Sequence, residues 1–321
     1  MSSVIIKSDK RIFTCRDLDS GEVYSATALG NLLKRGETLV VGDIVEVSDG
    51  EVADEKIIVE MEPRKNEIFR LLVRERKKKV IASNCDRLVI VMSVSSPAYK
   101  RGLVDRYLVR AHQWGIRPIV VFNKMDEYSK EDFDIDFESY RLKELDIHSF
   151  EVSAVTEGYQ TRYLENGLAE LKEDLKGKTS IFLGHSGVGK SALITSLSSR
   201  KFELKSAEIA KSGKGAHTTT WAEIVSFGDF DLIDSPGVRS YSLEDIDPKE
   251  LIEYFPDVEE VAVNCKFSDC SHQENVKGCF FYNEKAWKDN EKHHQALLTR
   301  LDSYLRLHEE LAEIPQWKKS Y

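Results

Sequence analysis

The most informative stretch of this 321-residue sequence is Gly184-His185-Ser186-Gly187-Val188-Gly189-Lys190-Ser191. It matches the pattern G-x-x-x-x-G-K-[ST], whose glycines let successive backbone N–H groups point toward phosphate oxygens. The apolar run 181–183 predicts the strand before this loop, and residues 190–198 predict the helix after it, whose dipole favours an anion. A glycine-rich turn that binds nothing is the alternative, but the strand, the motif and the helix agree. We therefore predict a phosphate-binding loop within an α/β domain.

The predicted phosphate contacts run from Gly184 to Ala192, the residue that follows the motif. Lys190 is expected at the outer phosphates, because a flexible ammonium group can reach past the backbone amides. Ser191 is expected to bind a magnesium ion through its hydroxyl group. The motif alone does not distinguish the nucleotide or its use.

From residue 86 onward, apolar runs alternate with stripes of helical spacing. The runs that predict buried strands are 88–92, 118–122, 149–152, 180–183, 224–227 and 230–233. Such alternation predicts a mostly parallel sheet with helices on both faces.

The first sixty residues follow a different pattern, with short β-like runs separated by turns that contain glycine or aspartate. The five runs are 4–6, 11–15, 22–26, 39–47 and 56–61. Five strands in so short a segment fit an all-β barrel of the OB type, whose open face commonly binds RNA or single strands. A barrel that serves only as a structural appendage is the alternative.

A strongly basic stretch follows the predicted barrel. Residues 64–80 contain eight basic and two acidic residues, although the whole chain has a formal net charge of −9. The stretch is either a solvated linker or a contact to a phosphate backbone. Because the chain as a whole is acidic, any nucleic-acid contact must come from such local patches.

A second nucleotide signal is Asn123-Lys124-Met125-Asp126, directly after the apolar run 119–122. In open α/β sheets, ligands bind at the carboxyl ends of strands. The Asp126 carboxylate can accept hydrogen bonds from both N1–H and N2–H₂ of guanine, a pair that adenine lacks; with adenine the carboxylate would be left unpaired. Ser153 and Ala154 follow another predicted strand, and a backbone N–H there can hold guanine O6. The alternative is an ordinary turn at a strand end.

Two further segments suit the γ-phosphate and its metal ion. Asp234-Ser235-Pro236-Gly237 closes a predicted strand, so Asp234 can hold magnesium through water and the Gly237 N–H can reach a γ-phosphate. The segment 213–220 contains Thr218 and Thr219, either of which can supply a second magnesium-linked hydroxyl. A polar turn is the alternative for that segment.

Near the C-terminus, three cysteines and a histidine lie within fifteen residues: Cys265, Cys270, His272 and Cys279. Three thiolates and one imidazole are the donors that a closed, tetrahedral structural zinc site prefers. Unligated cysteines in a core are the alternative. An odd total of five cysteines favours a metal in a reducing compartment over disulfides.

The remaining signals concern location and the C-terminal helix. The sequence has no apolar run of transmembrane length, and residues 1–10 lack the apolar core of a signal peptide, so we expect a cytoplasmic protein. Residues 283–313 predict one polar helix with an apolar packing stripe, ended by Pro315.

Taken together, the motifs resemble those of translation-factor-type GTPases, but in a permuted order. The base-recognition segments 123–126 and 153–154 precede the phosphate loop, the threonine segment and Asp234-Ser235-Pro236-Gly237. With a β-rich N-terminus and a Cys/His cluster, the chain resembles the RsgA or YjeQ family of circularly permuted GTPases that depend on the small ribosomal subunit. The resemblance implies a multidomain protein: an OB-fold barrel at 1–68, a permuted P-loop GTPase domain at 69–245 with a basic linker at 69–82, and a zinc-binding and helical unit at 246–321.

The resemblance also implies a function. It describes a GTP hydrolase that binds GTP with Mg²⁺ and carries one structural Zn²⁺. Its partner is the small (30S) ribosomal subunit with 16S rRNA, which it helps to mature and leaves after hydrolysis. A monomer without a membrane partner is expected. The alternatives are a GTP-dependent regulator of a protein or membrane partner, and a metabolic phosphotransferase.

One feature differs from Ras-like GTPases, and another differs from the pattern of the family that the chain resembles. Ras-like GTPases place a glutamine after the last glycine of their DxxG motif, and this chain has Val238 there, so intrinsic hydrolysis is expected to be slow. His217 is the candidate for the missing catalytic group, with a contact to ribosomal RNA as its alternative role. The family pattern has one residue fewer before the last cysteine, so the turn at 276–278 is expected to be enlarged.

Overall fold

The structure is a computed structural model that describes residues 1–9, 11–30, 38–52, 55–72, 77–198, 222–234 and 242–314. Its first five strands are β1 (Ser2–Asp9), β2 (Ile12–Asp17), β3 (Val23–Ala28), β4 (Ile44–Asp49) and β5 (Lys56–Met61). They pair in the order β1-β2-β3-β5-β4, and β4 pairs back with β1 to close a barrel. The alternating apolar residues of the strands fill its interior, with Ile5, Val45 and Ile58 fully buried. The predicted five-stranded barrel is confirmed.

The basic stretch after the barrel contains a β-hairpin, in the region where the sequence predicts a basic linker at 69–82. Strands β6 (Glu67–Leu72) and β7 (Lys77–Ser83) pair antiparallel. They form because apolar residues recur between the charges: Ile68 and Ala82 lie opposite each other and are fully buried. Lys78 binds the Glu67 carboxylate at 2.6 Å, which uses part of the positive charge within the hairpin itself.

The buried side chains of Asp43 and Ser83 hold the hairpin against the barrel. The Asp43 carboxylate, fully buried, accepts hydrogen bonds from Arg64 Nε at 2.7 Å and from Ser83 Oγ at 2.6 Å. Arg64 also donates to Glu67 at 2.8 Å. Arg64 therefore has an internal structural role and is not a free phosphate ligand.

Six further strands form the central sheet: β8 (Arg87–Ser93), β9 (Arg117–Asn123), β10 (Ser149–Glu151), β11 (Thr179–Leu183), β12 (Glu223–Ser226) and β13 (Asp231–Asp234). Their order is β10-β9-β8-β11-β13-β12, with every pair parallel except β12 with β13. The chain runs outward from β8 to β10 and then returns to β11 on the other side of β8. Such a change of direction creates a crevice at the carboxyl ends of the strands.

Helices cover both faces of the central sheet. They are α1 (Arg101–Trp114), α2 (Ile135–Lys143), α3 (Leu168–Leu175) and α4 (Lys190–Leu197). Along β8, Leu88 and Ile90 pack in a core with α1 and α2, whereas Val89 and Val91 pack in a second core with α3 and α4. The predicted doubly covered, mostly parallel sheet is confirmed.

The barrel and the central sheet are joined edge to edge. Strand β1 pairs antiparallel with β12, where Lys7 lies opposite Glu223, so that the two sheets form one continuous sheet of eleven strands. An ion pair between Arg16 on β2 and Asp231 on β13 reinforces the joint. The sequence contains no local signal for this pairing, because the partners lie more than two hundred residues apart.

The C-terminal unit contains α5 (Pro256–Ala262), α6 (Glu284–Trp287) and α7 (Glu291–Glu313). The prediction of one helix over 283–313 is wrong in one respect, since the chain leaves the helical conformation at 288–290. Trp287 consequently lies on a short helix of its own and stacks on the His294 ring, with the centroids 5.0 Å apart. Pro315 lies outside the described residues. Within the described chain, no helix is both long and apolar enough to cross a membrane.

A buried ionic cluster attaches the C-terminal unit to the central sheet. We call it the Asp105 cluster, and its members are Asp105, Glu138, Arg141, Asp257 and Arg300. The Asp105 carboxylate on α1 accepts from Arg141 of α2 and from Arg300 of α7, each at 2.7 Å. Burial raises the pKa of Asp105, but the two guanidinium groups lower it by a larger amount, so that its pKa lies below the ordinary value. The carboxylate is therefore ionised although it is fully buried.

Candidate nucleotide site and metal centre

The predicted nucleotide motifs meet at one edge of the central sheet. Asn123 ends β9, Ser153 follows β10, Gly184 follows β11 and Asp234 ends β13. Because these four strands are parallel, their carboxyl ends lie on the same side of the sheet. Segments from separate parts of the sequence thus lie along one edge of the sheet.

The loop between β11 and α4 is tightly wound, and its glycines are required. Gly187 and Gly189 have φ angles of +85° and +92°, which L-residues with a side chain rarely adopt. A Cβ atom on Gly189 would lie 2.3 Å from Asn123 Nδ2. Lys190 Nζ donates to the carbonyl oxygens of Gly184 at 2.7 Å and His185 at 2.9 Å, so its ammonium group lies over the loop. A cation in that position suits a phosphate group.

The side-chain amide of Asn123 connects two parts of the site. It is buried, and its Nδ2 donates to the Val188 carbonyl oxygen at 2.9 Å. Its Oδ1 accepts from the Ala154 backbone N–H at 3.1 Å. Asn123 therefore fixes the glycine-rich loop relative to the segment predicted to recognise the base.

The Asp126 carboxylate is held by two hydroxyl groups. Its Oδ1 accepts from Ser153 Oγ at 2.6 Å, and its Oδ2 accepts from Thr156 Oγ1 at 2.9 Å. Partial burial raises the pKa of Asp126, but the two hydroxyl hydrogen bonds outweigh it and lower the pKa. An ionised carboxylate is the form that accepts two N–H donors from guanine.

The two neighbouring residues of this motif have different environments. Met125 is buried, and its backbone N–H donates to the Val152 carbonyl oxygen at 3.1 Å. Lys124 has a left-handed φ of +66°, and its ammonium group donates to the Ser96 carbonyl oxygen. Both contacts fix the turn that places Asp126 at the end of β9.

A cleft of about 540 Å³ lies between the loop after β10 and helix α4. Ser153, Ala154 and Thr156 line one side, and Ala192 and Thr195 line the other. The volume lies within the range of about 300–1,000 Å³ that is typical of small-molecule sites. Ala192, predicted from the sequence as a nucleotide contact, therefore lies beside the predicted base-recognition segment.

Several predicted site residues lie outside the described part of the chain. They are His217, Thr218, Thr219, Gly237 and Val238. Asp234 is described, and it lies exposed at the end of β13. The predictions for the threonine segment and the catalytic histidine stay predictions.

The predicted metal ligands converge in the C-terminal unit. The ligand atoms of Cys265, Cys270, His272 and Cys279 all lie within 4.8 Å of one another. Cys265 Sγ is 3.5 Å from His272 Nδ1 and 4.0 Å from Cys279 Sγ. Zn–S bonds of about 2.3 Å in a tetrahedron place sulfur atoms roughly 3.8 Å apart. The cluster fits a structural zinc site in which Nδ1 is the imidazole ligand.

The surroundings of the cluster also suit thiolate ligands. The Phe280 backbone N–H donates to Cys265 Sγ at 3.3 Å, a contact that stabilises negative charge on sulfur. Burial raises the pKa of Cys279 to about 12 and lowers the pKa of His272. A cation at the centre would therefore bind a neutral imidazole and stabilise thiolates that burial alone disfavours.

The turn before the last cysteine accommodates its additional residue. Gly278 adopts a φ of +88°, and its carbonyl oxygen accepts from the Lys266 backbone N–H at 3.0 Å. This turn directs Cys279 into the cluster, so the longer spacing does not remove it from the ligand set.

Two functional features were missed by the sequence analysis. Thr156 lies three residues after Ser153, and a hydroxyl residue at that position was the only available signal. The Asp105 cluster had no signal, because charged residues on amphipathic helices are ordinarily assigned to the surface.

Comparison with known proteins identifies the family. The family model described as RsgA GTPase matches residues 61–244. "Small ribosomal subunit biogenesis GTPase RsgA" of Flavobacterium psychrophilum is 32% identical over 96% of this chain and 92% of its own length. The protein of the same name from Bacteroides fragilis strain YCH46 is 31% identical, over 98% of both chains.

Two solved structures are similar over nearly the whole chain. YjeQ from Thermotoga maritima has a TM-score of 0.70 at 25% identity and covers 98% of this chain and 99% of its own. YloQ, described as a circularly permuted GTPase, also has a TM-score of 0.70 at 25% identity and covers 98% of this chain and 96% of its own. The predicted resemblance is thus confirmed. The chain is a GTP hydrolase, and it belongs to the RsgA GTPase family.

Proposed function

We propose that this protein binds the small (30S) ribosomal subunit and assists its late maturation. It hydrolyses GTP with turnover that the subunit stimulates, and then dissociates. The observation that carries the proposal is that relatives named for small ribosomal subunit biogenesis match 96–98% of the chain. The match includes the barrel and the cysteine cluster, so it is not confined to the nucleotide domain.

The proposed GTP contacts follow from the arrangement around Asn123. Asp126 reads the guanine edge, and Lys190 binds the outer phosphates. The complete set is Asn123, Lys124, Met125, Asp126, Ser153, Ala154, Gly184, His185, Ser186, Gly187, Val188, Gly189, Lys190, Ser191, Ala192 and Gly237. The hydrogen bonds from Asn123 to both halves of the site support this assignment.

We further propose that Mg²⁺ is held by Ser191 and Asp234, together with Thr218 or Thr219. A bound Mg²⁺ ion neutralises charge on the outer phosphate oxygens. Ser191 lies in the first turn of α4 beside the phosphate loop, and Asp234 ends the strand next to β11, so both come from the edge where the phosphates are expected.

Hydrolysis requires a group that orients or deprotonates the attacking water. The side chain of Val238 has no polar atom that could orient water, so intrinsic turnover is expected to be slow. We propose His217 as that group, acting when the partner is bound. Full subunit-stimulated turnover in a His217→Ala variant would contradict this role.

The proposed partner surface includes 16S rRNA contacts on the barrel and the zinc-binding unit. The basic stretch 64–80 offers less free positive charge than its sequence suggests, since Arg64 and Lys78 are in ion pairs with Asp43 and Glu67. The proposed units are 1–68, 69–245 and 246–321, and the first boundary lies at the beginning of β6. We propose a cytoplasmic monomer without a membrane partner.

The test is steady-state GTP hydrolysis with purified small subunits, with large subunits, or with neither. We expect strong stimulation by small subunits alone. Equal stimulation by both subunits, or a response to neither, would contradict the proposed partner. A matched ATP series tests the base preference independently of the partner.

A further inference from the structure

We propose that Thr156 is a positioning residue that determines specificity for guanine by orienting the Asp126 carboxylate. The inference rests on the proposed GTP site and deepens it. Thr156 belongs to the loop after β10, beyond the predicted pair Ser153 and Ala154. Its role follows from the geometry of the carboxylate that it contacts.

Each oxygen of the Asp126 carboxylate holds one hydroxyl donor. Ser153 donates to Oδ1 at 2.6 Å, and Thr156 donates to Oδ2 at 2.9 Å. A carboxylate oxygen can accept two hydrogen bonds. One acceptor position therefore remains on each oxygen, and the two positions suit two parallel N–H donors on one edge of a ligand.

Guanine and hypoxanthine differ in the number of N–H donors that they present to this carboxylate. Guanine presents N1–H and N2–H₂ side by side, whereas hypoxanthine presents N1–H alone. The second hydrogen bond forms well only if both carboxylate oxygens lie in the plane of the base. The terminal torsion of an aspartate is soft, so a carboxylate held at one oxygen can rotate out of that plane. Holding both oxygens fixes the torsion before the ligand binds.

The loop that carries Thr156 is itself anchored. The fully buried Glu151 carboxylate accepts from the backbone N–H groups of Arg162, Tyr163 and Leu164 at 2.7–2.9 Å. The Tyr159 hydroxyl also donates to it at 2.6 Å. Glu151 ends β10, so the loop is tied to the same strand from which Ser153 emerges. The Thr156 carbonyl oxygen accepts from the Tyr159 backbone N–H at 3.3 Å, and this contact joins the exposed Thr156 to the anchored segment.

The test compares GDP with inosine diphosphate, which lacks the 2-amino group. Thr156→Val removes the hydroxyl and keeps the shape of the side chain. We expect about tenfold weaker GDP binding, because a hydrogen bond to a charged group is lost, with a smaller effect on inosine diphosphate. The GDP preference should fall at least about threefold. Both dissociation constants are measured by calorimetric titration of the full chain.

Two variants control for other effects. Thr156→Ser keeps the hydroxyl and should restore the preference for GDP. Thr299→Val removes a hydroxyl on α7, outside the proposed GTP contacts, while leaving both donors on Asp126, and it should bind as the wild type does. Thermal unfolding verifies that each variant is folded.

The outcomes separate this inference from the proposed function. If the wild type prefers GDP and Thr156→Val keeps the same preference, the role of Thr156 is overturned, even if both affinities fall. If the wild type binds neither nucleotide, the proposed GTP site itself is contradicted. A lost preference that Thr156→Ser does not restore would also count against the hydroxyl.

Discussion

The Asn123 amide uses both of its polar atoms within the protein. Its nitrogen donates to the phosphate loop, and its oxygen accepts from the segment 153–154. Both atoms therefore already have hydrogen-bond partners within the protein. The amide thus sets the distance between the phosphate and base positions. Alanine at 123 would remove both contacts at once, whereas any side chain at 189 would displace the amide.

Asp126→Asn should change the base that the site accepts. A side-chain amide presents an N–H donor beside an oxygen acceptor, and these match the C2 carbonyl and N1–H of xanthine. Guanine would instead lose a charge-assisted hydrogen bond and meet an N–H at its own amino group. We expect GDP affinity to fall by about a hundredfold or more and xanthosine diphosphate affinity to rise, as measured by competition with a fluorescent nucleotide.

Asp136→Asn is a suitable control for that substitution, because Asp136 lies in the first turn of α2 outside the predicted site. It should leave both affinities unchanged. If Asp126→Asn bound GDP as tightly as the wild type, Asp126 would not read the guanine edge.

At this scale, the motif residues could be predicted because each has a fixed chemical partner in the nucleotide. The proposed partners of Gly189, Lys190 and Asp126 are phosphate and guanine, and such partners restrict residue type and spacing. Thr156 and Arg300 contact other side chains instead. Their partners are set by tertiary packing, which no local pattern encodes.

The Asp105 cluster joins the four helices α1, α2, α5 and α7, and its removal should loosen their packing. In Asp105→Asn, Arg141 and Arg300 would lose a shared, fully buried counterion. Breaking a buried ionic group by removing one partner costs about 3–5 kcal/mol of unfolding free energy. We expect a clearly lower denaturation midpoint at pH 7, measured by circular dichroism.

The pH dependence of this effect has a definite sign. The pKa of Asp105 is lowered in the folded protein, so its ionised form stabilises the fold above its unfolded pKa of about 3.9. That contribution is lost as the pH falls through the still lower folded pKa. The difference between wild type and Asp105→Asn should therefore narrow below about pH 4.

Asp302→Asn provides a matched control on the same helix α7. Asp302 forms an exposed ion pair with Arg306 at 3.0 Å, and such pairs contribute little to stability. It should leave the denaturation midpoint nearly unchanged. Equal effects of the two substitutions would show that the Asp105 cluster does not hold the helices together.

Among the elements, those with regular apolar periodicity could be predicted and the others could not. The barrel strands and the six central strands alternate or run apolar, so their positions follow from the sequence. Strand β7 begins Lys77-Lys78-Lys79, and its charge masks the apolar residues that follow. The break between α6 and α7 is accompanied by stacking of Trp287 against His294, a contact that helical periodicity does not reveal.

For the molecule as a whole, the zinc ligands should determine the stability of the C-terminal unit but should not affect nucleotide binding. The cluster packs in a core with Phe281 and Val258, whereas the proposed GTP contacts lie on the central sheet. Cys279→Ser should lower zinc content below one ion per chain and lower the thermal midpoint. Binding of GDP should persist. Atomic absorption, thermal unfolding and nucleotide titration measure the three quantities.

Cys15→Ala tests whether the loss of any buried thiol has the same result. Cys15 is buried in the barrel core, away from the four ligands. It should retain full zinc content. If Cys279→Ser also retained it, with an unchanged midpoint, the cluster would not be a metal site.

The joint between β1 and β12 has a consequence for solubility. Strand β12 is the outermost strand of the central sheet, and β1 covers part of its edge. An uncovered edge presents unpaired backbone groups that can recruit a strand from another molecule. A chain that lacks the barrel should therefore self-associate with rising concentration, and light scattering should detect it. If so, the barrel protects this edge against aggregation, and activity lost on its deletion would not by itself identify it as an RNA-binding module.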